Sequence, residues 1–371
     1  MPILVSEYGM SSSRGLNHVN RVTGYNQGHL TEQEQGEMDA HLFRDIVDAG
    51  CAGGMVFTWQ DEWFKRSWNT MDFNTESGRP YWSNIETSEQ MYGLMTFDPG
   101  FGKTLWQTDG NINEWENETP LLSDSGVEVK VDSDERYMYF LIDDKDMNAS
   151  DKYIIGIDTI EEQGNNFYTD KGVNFRNFND FAIMISEEDN QIYVDSYYDS
   201  YIKRYIKSGT VKDRPGEDNE NGKNTGVFNQ IKLFNSRALY FPVTHEQTPS
   251  QIFVTGKLRE GNSNPESENF DSLADFYRSE TTIEIRIPWA LLNFSEPNTS
   301  RIMDDFNQRE YFELVSIVIE NVGIEIVKQS GNKTVFSGVG SYKLNPWGEF
   351  PGYNERLKES YYIMQETYAK Y

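Results

Sequence analysis

Val-Glu-Val-Lys-Val at positions 127–131, a polar turn Asp-Ser-Asp-Glu-Arg at 132–136, then Tyr-Met-Tyr-Phe-Leu-Ile at 137–142: this stretch sets the class of most of the chain. The first five residues alternate apolar and polar. That period of two puts every other side chain on one face of a strand. The run that follows is rich in aromatic and branched residues, which pack well on a pleated surface. Two such runs across a short polar turn form a hairpin. The same signature returns at 154–157, 181–185, 192–197, 252–255, 282–287 and 314–319, with acidic, turn-rich links between. Many short strands without long helical periodicity predict an antiparallel sandwich.

The 371 residues carry 33 Lys+Arg against 60 Asp+Glu, a formal charge of -27. So negative a surface repels phosphate backbones and anionic lipid, which argues against nucleic-acid or membrane-surface partners. No run reaches the ~18 apolar residues of a spanning helix. Residues 1–5, Met-Pro-Ile-Leu-Val, give neither a basic segment nor a long apolar core of a signal peptide. The compartment is left unassigned. Cys51 is the single cysteine, so neither an intrachain disulfide nor a cysteine-cluster zinc site is available.

Upstream of about residue 100 the pattern differs. An apolar run at 3–6 ends in Glu7-Tyr8-Gly9. Residues 31–48 then read as a helix, with Met38, Leu42, Ile46 and Ala49 at helical spacing. Thr31 and Glu34 form a capping-box pair, and Gly50 follows the end. Residues 52–59 read as a buried strand. Strand, helix, strand with short links predicts parallel pairing. Together the two patterns predict an α+β chain: a parallel βα part at residues 1–102, a sandwich at 103–350 and a tail at 351–371. The polar stretches 213–225 and 260–269 read as loop insertions.

Ile3-Leu4-Val5-Ser6-Glu7-Tyr8-Gly9 resembles the seventh-strand nucleophile segment of the clan A glycoside hydrolases. Gly53-Gly54-Met55-Val56-Phe57-Thr58-Trp59, followed by Asp61-Glu62-Trp63, resembles their eighth strand and its loop, closest to the family 2-like barrels. The resemblance implies the last two βα units of a TIM barrel, a (β/α)8 fold of roughly 250 residues. It implies that Glu7 is the nucleophile of a retaining hydrolase. Tyr8 would hydrogen-bond it, Trp59 would floor the sugar subsite, and Asp61 and Glu62 would reach substrate hydroxyls. The acid/base residue of that family lies on a strand with no counterpart here. The implied protein is therefore the C-terminal part of a longer glycosidase, inactive by itself and completed by a missing N-terminal part or by self-association.

Asp109-Gly110-Asn111-Ile112-Asn113-Glu114-Trp115 and the later Arg286-Ile287-Pro288-Trp289 resemble the family 9 carbohydrate-binding modules and the related DOMON-like sandwiches. That implies an oligo- or polysaccharide partner, and a non-catalytic binding or assembly module is the alternative to the hydrolase. Trp115 and Trp289 read as core anchors. The platform candidates are Tyr197, Tyr198 and Tyr201, whose rings alternate with Asp195 and Asp199; the competing reading is an edge strand with exposed tyrosines. No cofactor is required. The acidic turn Asp143-Asp144-Lys145-Asp146 offers oxygen ligands of the kind calcium takes, but it lacks an EF-hand loop, and a solvated acidic turn is the competing reading.

Overall fold

The computed structural model describes residues 2–20, 25–100, 106–207, 222–236, 238–307 and 313–371. Among them are twenty-six strands and three α-helices: α1 (Glu32–Asp48), α2 (Ser200–Lys207) and α3 (Glu359–Tyr368). The expected loop at 213–225 lies outside the described residues as far as 221.

Two antiparallel sheets form the body. The larger has six strands in the order Phe228–Gln230, Gln191–Asp195, Phe181–Ile185, Asp151–Asp158, Asn321–Ser330, Lys333–Lys343. The smaller has five: Phe276–Arg278, Thr282–Pro288, Tyr137–Asp144, Val127–Ser133, Leu122–Asp124. The hairpin that opened the sequence reading is in register, with Val129 opposite Ile142 and Val131 opposite Phe140. One face of each sheet meets the other. Val129, Phe140 and Ile142 from the five-stranded sheet and Ile155, Ile183, Ile324 and Ile326 from the six-stranded sheet lie in one apolar cluster. Burial of this face, at about 25 cal/mol per Å² of apolar area, is the main term holding the sandwich together.

The expected barrel remnant is not there. Leu4–Tyr8 and Gly53–Val56 do pair in parallel across α1, and α1 starts with the Thr31–Glu34 capping box read from sequence. They form a sheet of only two strands. After Val56 the chain enters irregular backbone and 3-10 turns. Its next strand, Met95–Pro99, pairs antiparallel with Tyr353–Leu357. The fold is a β-rich antiparallel sandwich with a small flanking layer. The physical reason is cover. A parallel pair must be shielded on its faces. Here α1 packs on α3 from the far end of the chain, with Phe43, Ala40, Leu94 and Met364 buried between them.

The expected boundary at 102/103 is likewise crossed by shared cores. Phe73 and Trp82 belong to the sandwich cluster. Ile85 and Met91 pack with Trp115, Tyr137 and Tyr139. Residues 351–371 supply a strand and a helix to the flanking layer. Trp115 and Trp289 are each 1% exposed and serve as core anchors. No helix among the described residues is long and apolar enough to cross a membrane.

Candidate functional site

The segment joining Gly53–Val56 to residue 65 is stitched to residues 90–95. The N–H of Thr58 donates to Tyr92, that of Glu62 to Gln90, and those of Leu94 and Met95 to Thr58 and Trp59. The Phe57 N–H donates to the Tyr8 carbonyl at 2.7 Å. Gly9 permits this approach, because a Cβ there would lie 2.2 Å from the Phe57 oxygen. Held in this way, the segment exposes Trp59 (54%) and Phe64 (55%).

Two concavities flank it. The first, of about 390 Å³, is lined by Glu7, Tyr8, Phe57, Lys65, Glu89 and Tyr92. The second, of about 190 Å³, is mainly aromatic, with Trp63, Phe64, Phe97 and Tyr353 beside Gln60 and Glu62. The Lys65 ammonium links the two. It pairs with Glu62 at 2.9 Å and sits 4.2 Å from the Phe57 ring centroid. Rings offering flat area beside carboxylate, amide and ammonium groups can stack on the apolar face of a polyol and hydrogen-bond its hydroxyls.

The residues singled out from sequence divide three ways. Glu7, Trp59 and Glu62 are accessible on this face. Glu7 is exposed at its strand end and has no hydrogen-bond or ion-pair partner among the described residues. Trp59 touches the Tyr361 ring edge-on, with centroids 6.0 Å apart. Tyr8 and Asp61 border the two concavities, but their polar groups are engaged in the protein. The Tyr8 hydroxyl meets that of Tyr368 on α3 at 2.6 Å, and its ring stacks on Phe43. Asp61 is 1% exposed, pairs with the Lys358 ammonium at 2.7 Å and accepts the Gly93 N–H at 2.9 Å. It belongs to the joint between layers, as does Arg356, which bridges Glu32 and Asp98 at 2.7 and 2.6 Å. Asp61 lines the second concavity while its carboxylate is buried in the ion pair with Lys358.

The third set is corrected outright. Tyr197, Tyr198 and Tyr201 are buried, so they offer no stacking face. The Tyr198 hydroxyl donates to the Met303 carbonyl and its ring stacks on Phe306. Tyr201 packs edge-on against Phe73 with centroids 4.4 Å apart. The segment is the entry to α2 and not an edge strand. Tyr198, Tyr201, Ile202 and Tyr205 recur at helical spacing, a signal present in the sequence. The Asp199 carboxylate accepts the Ile202 N–H as this helix begins.

One acid of the turn read as a calcium candidate, Asp144, is engaged by a cation. The Lys328 ammonium pairs with Asp144 at 2.7 Å and with Asp151 at 3.1 Å. Burial tends to raise the Asp144 pKa, but the Lys328 and Tyr153 hydrogen bonds outweigh it and leave the group below its ordinary value. Sequence reasoning missed Glu89, which shares the cavity with Glu7. Only the fold brings these residues together, since Glu89 sits on an irregular segment 82 positions away.

Asp39 lies close to both Tyr8 and Tyr92. Its carboxyl is fully buried. One oxygen accepts the Met10 N–H at 2.8 Å and the other has no partner. Burial pushes its pKa up to about 8, against the opposing pull of the Met10 N–H and the Lys358 charge. The folded state thus keeps a proton that the unfolded chain releases near pH 4. Its contribution to stability is present below that pH and is lost as pH rises toward 8. Each unit of displacement corresponds to about 1.4 kcal/mol. Denaturant titrations at pH 5 and pH 8 should show wild type losing stability with rising pH. Asp39→Asn should lose less, by at least about 1.4 kcal/mol. Equal losses in both proteins would contradict this account.

Comparison with known proteins finds no matching family model, no matching curated protein and no matching solved structure.

Proposed function

We propose that this protein is a non-catalytic carbohydrate-binding unit that takes a neutral oligosaccharide along the face built on residues 57–65. The observation that carries this reading is the pair of half-exposed aromatics, Trp59 and Phe64, on one backbone-stitched segment with Gln60 and Glu62 between them. A rigid platform loses little entropy on binding, which favours stacking over induced fit. Affinity should fall in the millimolar to micromolar range, roughly -4 to -8 kcal/mol. It should change little with salt, because it rests on stacking and neutral hydrogen bonds rather than on screened charge.

Calorimetry against a panel of neutral oligosaccharides tests this. Trp59→Ala with Phe64→Ala should weaken binding at least about tenfold, or 1.4 kcal/mol, without lowering the melting temperature. No binding by the folded protein to any neutral oligosaccharide would refute the reading. Binding that vanishes between 0.05 and 0.5 M salt would refute its stacking basis.

A second reading, the hydrolysis implied by the resemblance, is favoured by one observation: Glu7 and Glu89 line the same cavity. Glycosidases need two carboxyl groups, about 5–5.5 Å apart for retention and 6.5–9.5 Å for inversion. Glu89 accepts a hydrogen bond from the Gln27 amide at 2.7 Å. The binding reading expects no turnover of aryl glycosides. Turnover abolished by Glu7→Gln and by Glu89→Gln would establish the second reading instead.

A further inference from the structure

The opening motif of the sandwich places two acidic side chains against a third that arrives from the far end of the sequence. Asp109 and Glu114 lie in the loop and short turn before the first sandwich strand. Glu284 lies on the interior strand Thr282–Pro288, second in the five-stranded sheet. A carboxylate oxygen from each lies within 4.8 Å of the other two. Two oxygens on opposite sides of one Ca²⁺ are about 4.6–5.2 Å apart, twice the usual bond length.

Acidic clusters on surfaces are common, and the cluster alone would mean little. The decisive feature is Glu284. Its side chain is 1% exposed. One oxygen accepts the N–H groups of Gly110 at 2.7 Å and Asp109 at 3.2 Å. The other oxygen is buried with no hydrogen-bond partner, and so is one oxygen of Glu114. No Lys or Arg among the described residues forms an ion pair with any of the three, unlike Asp61, Asp144 and Glu86, which each have a cation. Burying an ionised carboxylate without a partner is strongly unfavourable. Such a group either holds a proton or holds a cation.

We propose that Asp109, Glu114 and Glu284 form a calcium site that fastens the entry loop to the core of the sandwich. The donor set is entirely oxygen, which disfavours zinc and copper, since these prefer nitrogen and sulfur. Three carboxylates in irregular placement, two of them half-exposed and open to water, suit the flexible six-to-eight coordination of Ca²⁺. They suit the strict octahedron of Mg²⁺ less well. The loop geometry agrees. Gly110 takes φ +87°, a left-handed conformation that keeps its N–H aimed at Glu284, and a Cβ there would strike the Tyr277 ring at 2.7 Å. The second oxygen of Asp109 accepts from the Asn264 amide at 2.8 Å, so a bound ion would also secure the 260–269 loop. The site shares no residue with the proposed glycan face, and its test is independent of that proposal.

The full chain, stripped with chelator, is melted with EDTA, 1 mM CaCl₂ or 1 mM MgCl₂ at pH 7.5. Calcium should raise the melting temperature saturably, calorimetry should give one site, and magnesium should do markedly less. Glu284→Gln keeps an oxygen for the two N–H donors while removing the unpaired charge. In chelator it should be at least as stable as wild type. With calcium the order should reverse, and its affinity should fall at least about thirtyfold. Glu114→Gln, at a less buried position, should weaken binding without disturbing the core. Absence of any calcium response in wild type would overturn the proposal. So would a response that both substitutions leave unchanged, or an equal response to magnesium.

Discussion

Arg14→Met should cost the protein about 3–5 kcal/mol of stability, the range for breaking a buried ion pair from one side. Arg14 is 4% exposed and has six close acceptors, the Thr255 hydroxyl at 3.2 Å among them, in three parts of the chain. Its Nε donates to Asp275 at 2.7 Å. One terminal nitrogen donates to Glu86 and to the Thr255 carbonyl, each at 2.6 Å. The other donates to the Lys257 carbonyl at 2.7 Å and to the second Asp275 oxygen at 3.2 Å. Methionine fills much of the volume but leaves two buried carboxylates facing each other and two carbonyls without donors. Equilibrium denaturation is the measurement. Arg14→Lys should recover only part of the loss, because an ammonium cannot reproduce the guanidinium fork. Adding Glu86→Gln and Asp275→Asn to Arg14→Met should recover part by removing the stranded charges. A loss below about 1 kcal/mol in Arg14→Met would show that the network is relaxed by water or proton uptake. By the same argument, a chain starting near residue 103 would lack Arg14, Phe73 and Trp82. It should give no cooperative melt.

Tyr198→Ala should cost a similar ~3–5 kcal/mol, as for other large aromatic-to-alanine changes in a core. Tyr198 is fully buried, between Phe306 and Phe181. Its hydroxyl satisfies the Met303 carbonyl, so the substitution leaves both a cavity and an unpaired acceptor. Tyr198→Phe removes only the hydrogen bond and should cost about 0.5–1.5 kcal/mol. Neither change should alter glycan affinity per folded molecule, because the ring never meets solvent. The sequence reading expected the opposite: a binding defect in a stable protein. Melting curves run beside calorimetry separate the two. Lost affinity at unchanged melting temperature would restore the tyrosines as a platform.

The sandwich strands and α1 were legible from sequence because their signals are local. Residues 127–131 alternate with a period of two, and the strand Phe181–Ile185 was placed to the residue. Thr31 and Glu34 are three positions apart, and their capping box formed as expected. The misread tyrosines came from a local conflict. Tyr197-Tyr198 follows a true strand, so the β pattern was extended over the i, i+3, i+4 spacing of Tyr198, Tyr201 and Ile202 that α2 uses. Trp59, Asp61 and Glu62 were marked by the family resemblance alone, and their exposure was not readable. Trp59 and Trp63 are four residues apart, yet one is 54% exposed and the other 7%.

Charge balance, strand content and the turn chemistry of single segments were fixed by the sequence alone, because each depends on neighbours within a few residues. Three matters were decided only by the tertiary structure: what covers the parallel pair, which acids meet a cation, and which share a cavity. Asp61 met Lys358 across 297 positions, Glu86 met Arg14 across 72, and Glu284 met Gly110 across 174 with no cation among the described residues. Side chains of the same type thus became an ion-pair partner, a buried clamp and a proposed metal ligand. The physical reason is that a carboxylate's role follows from its solvation and its nearest charges, and chain closure over such distances sets both.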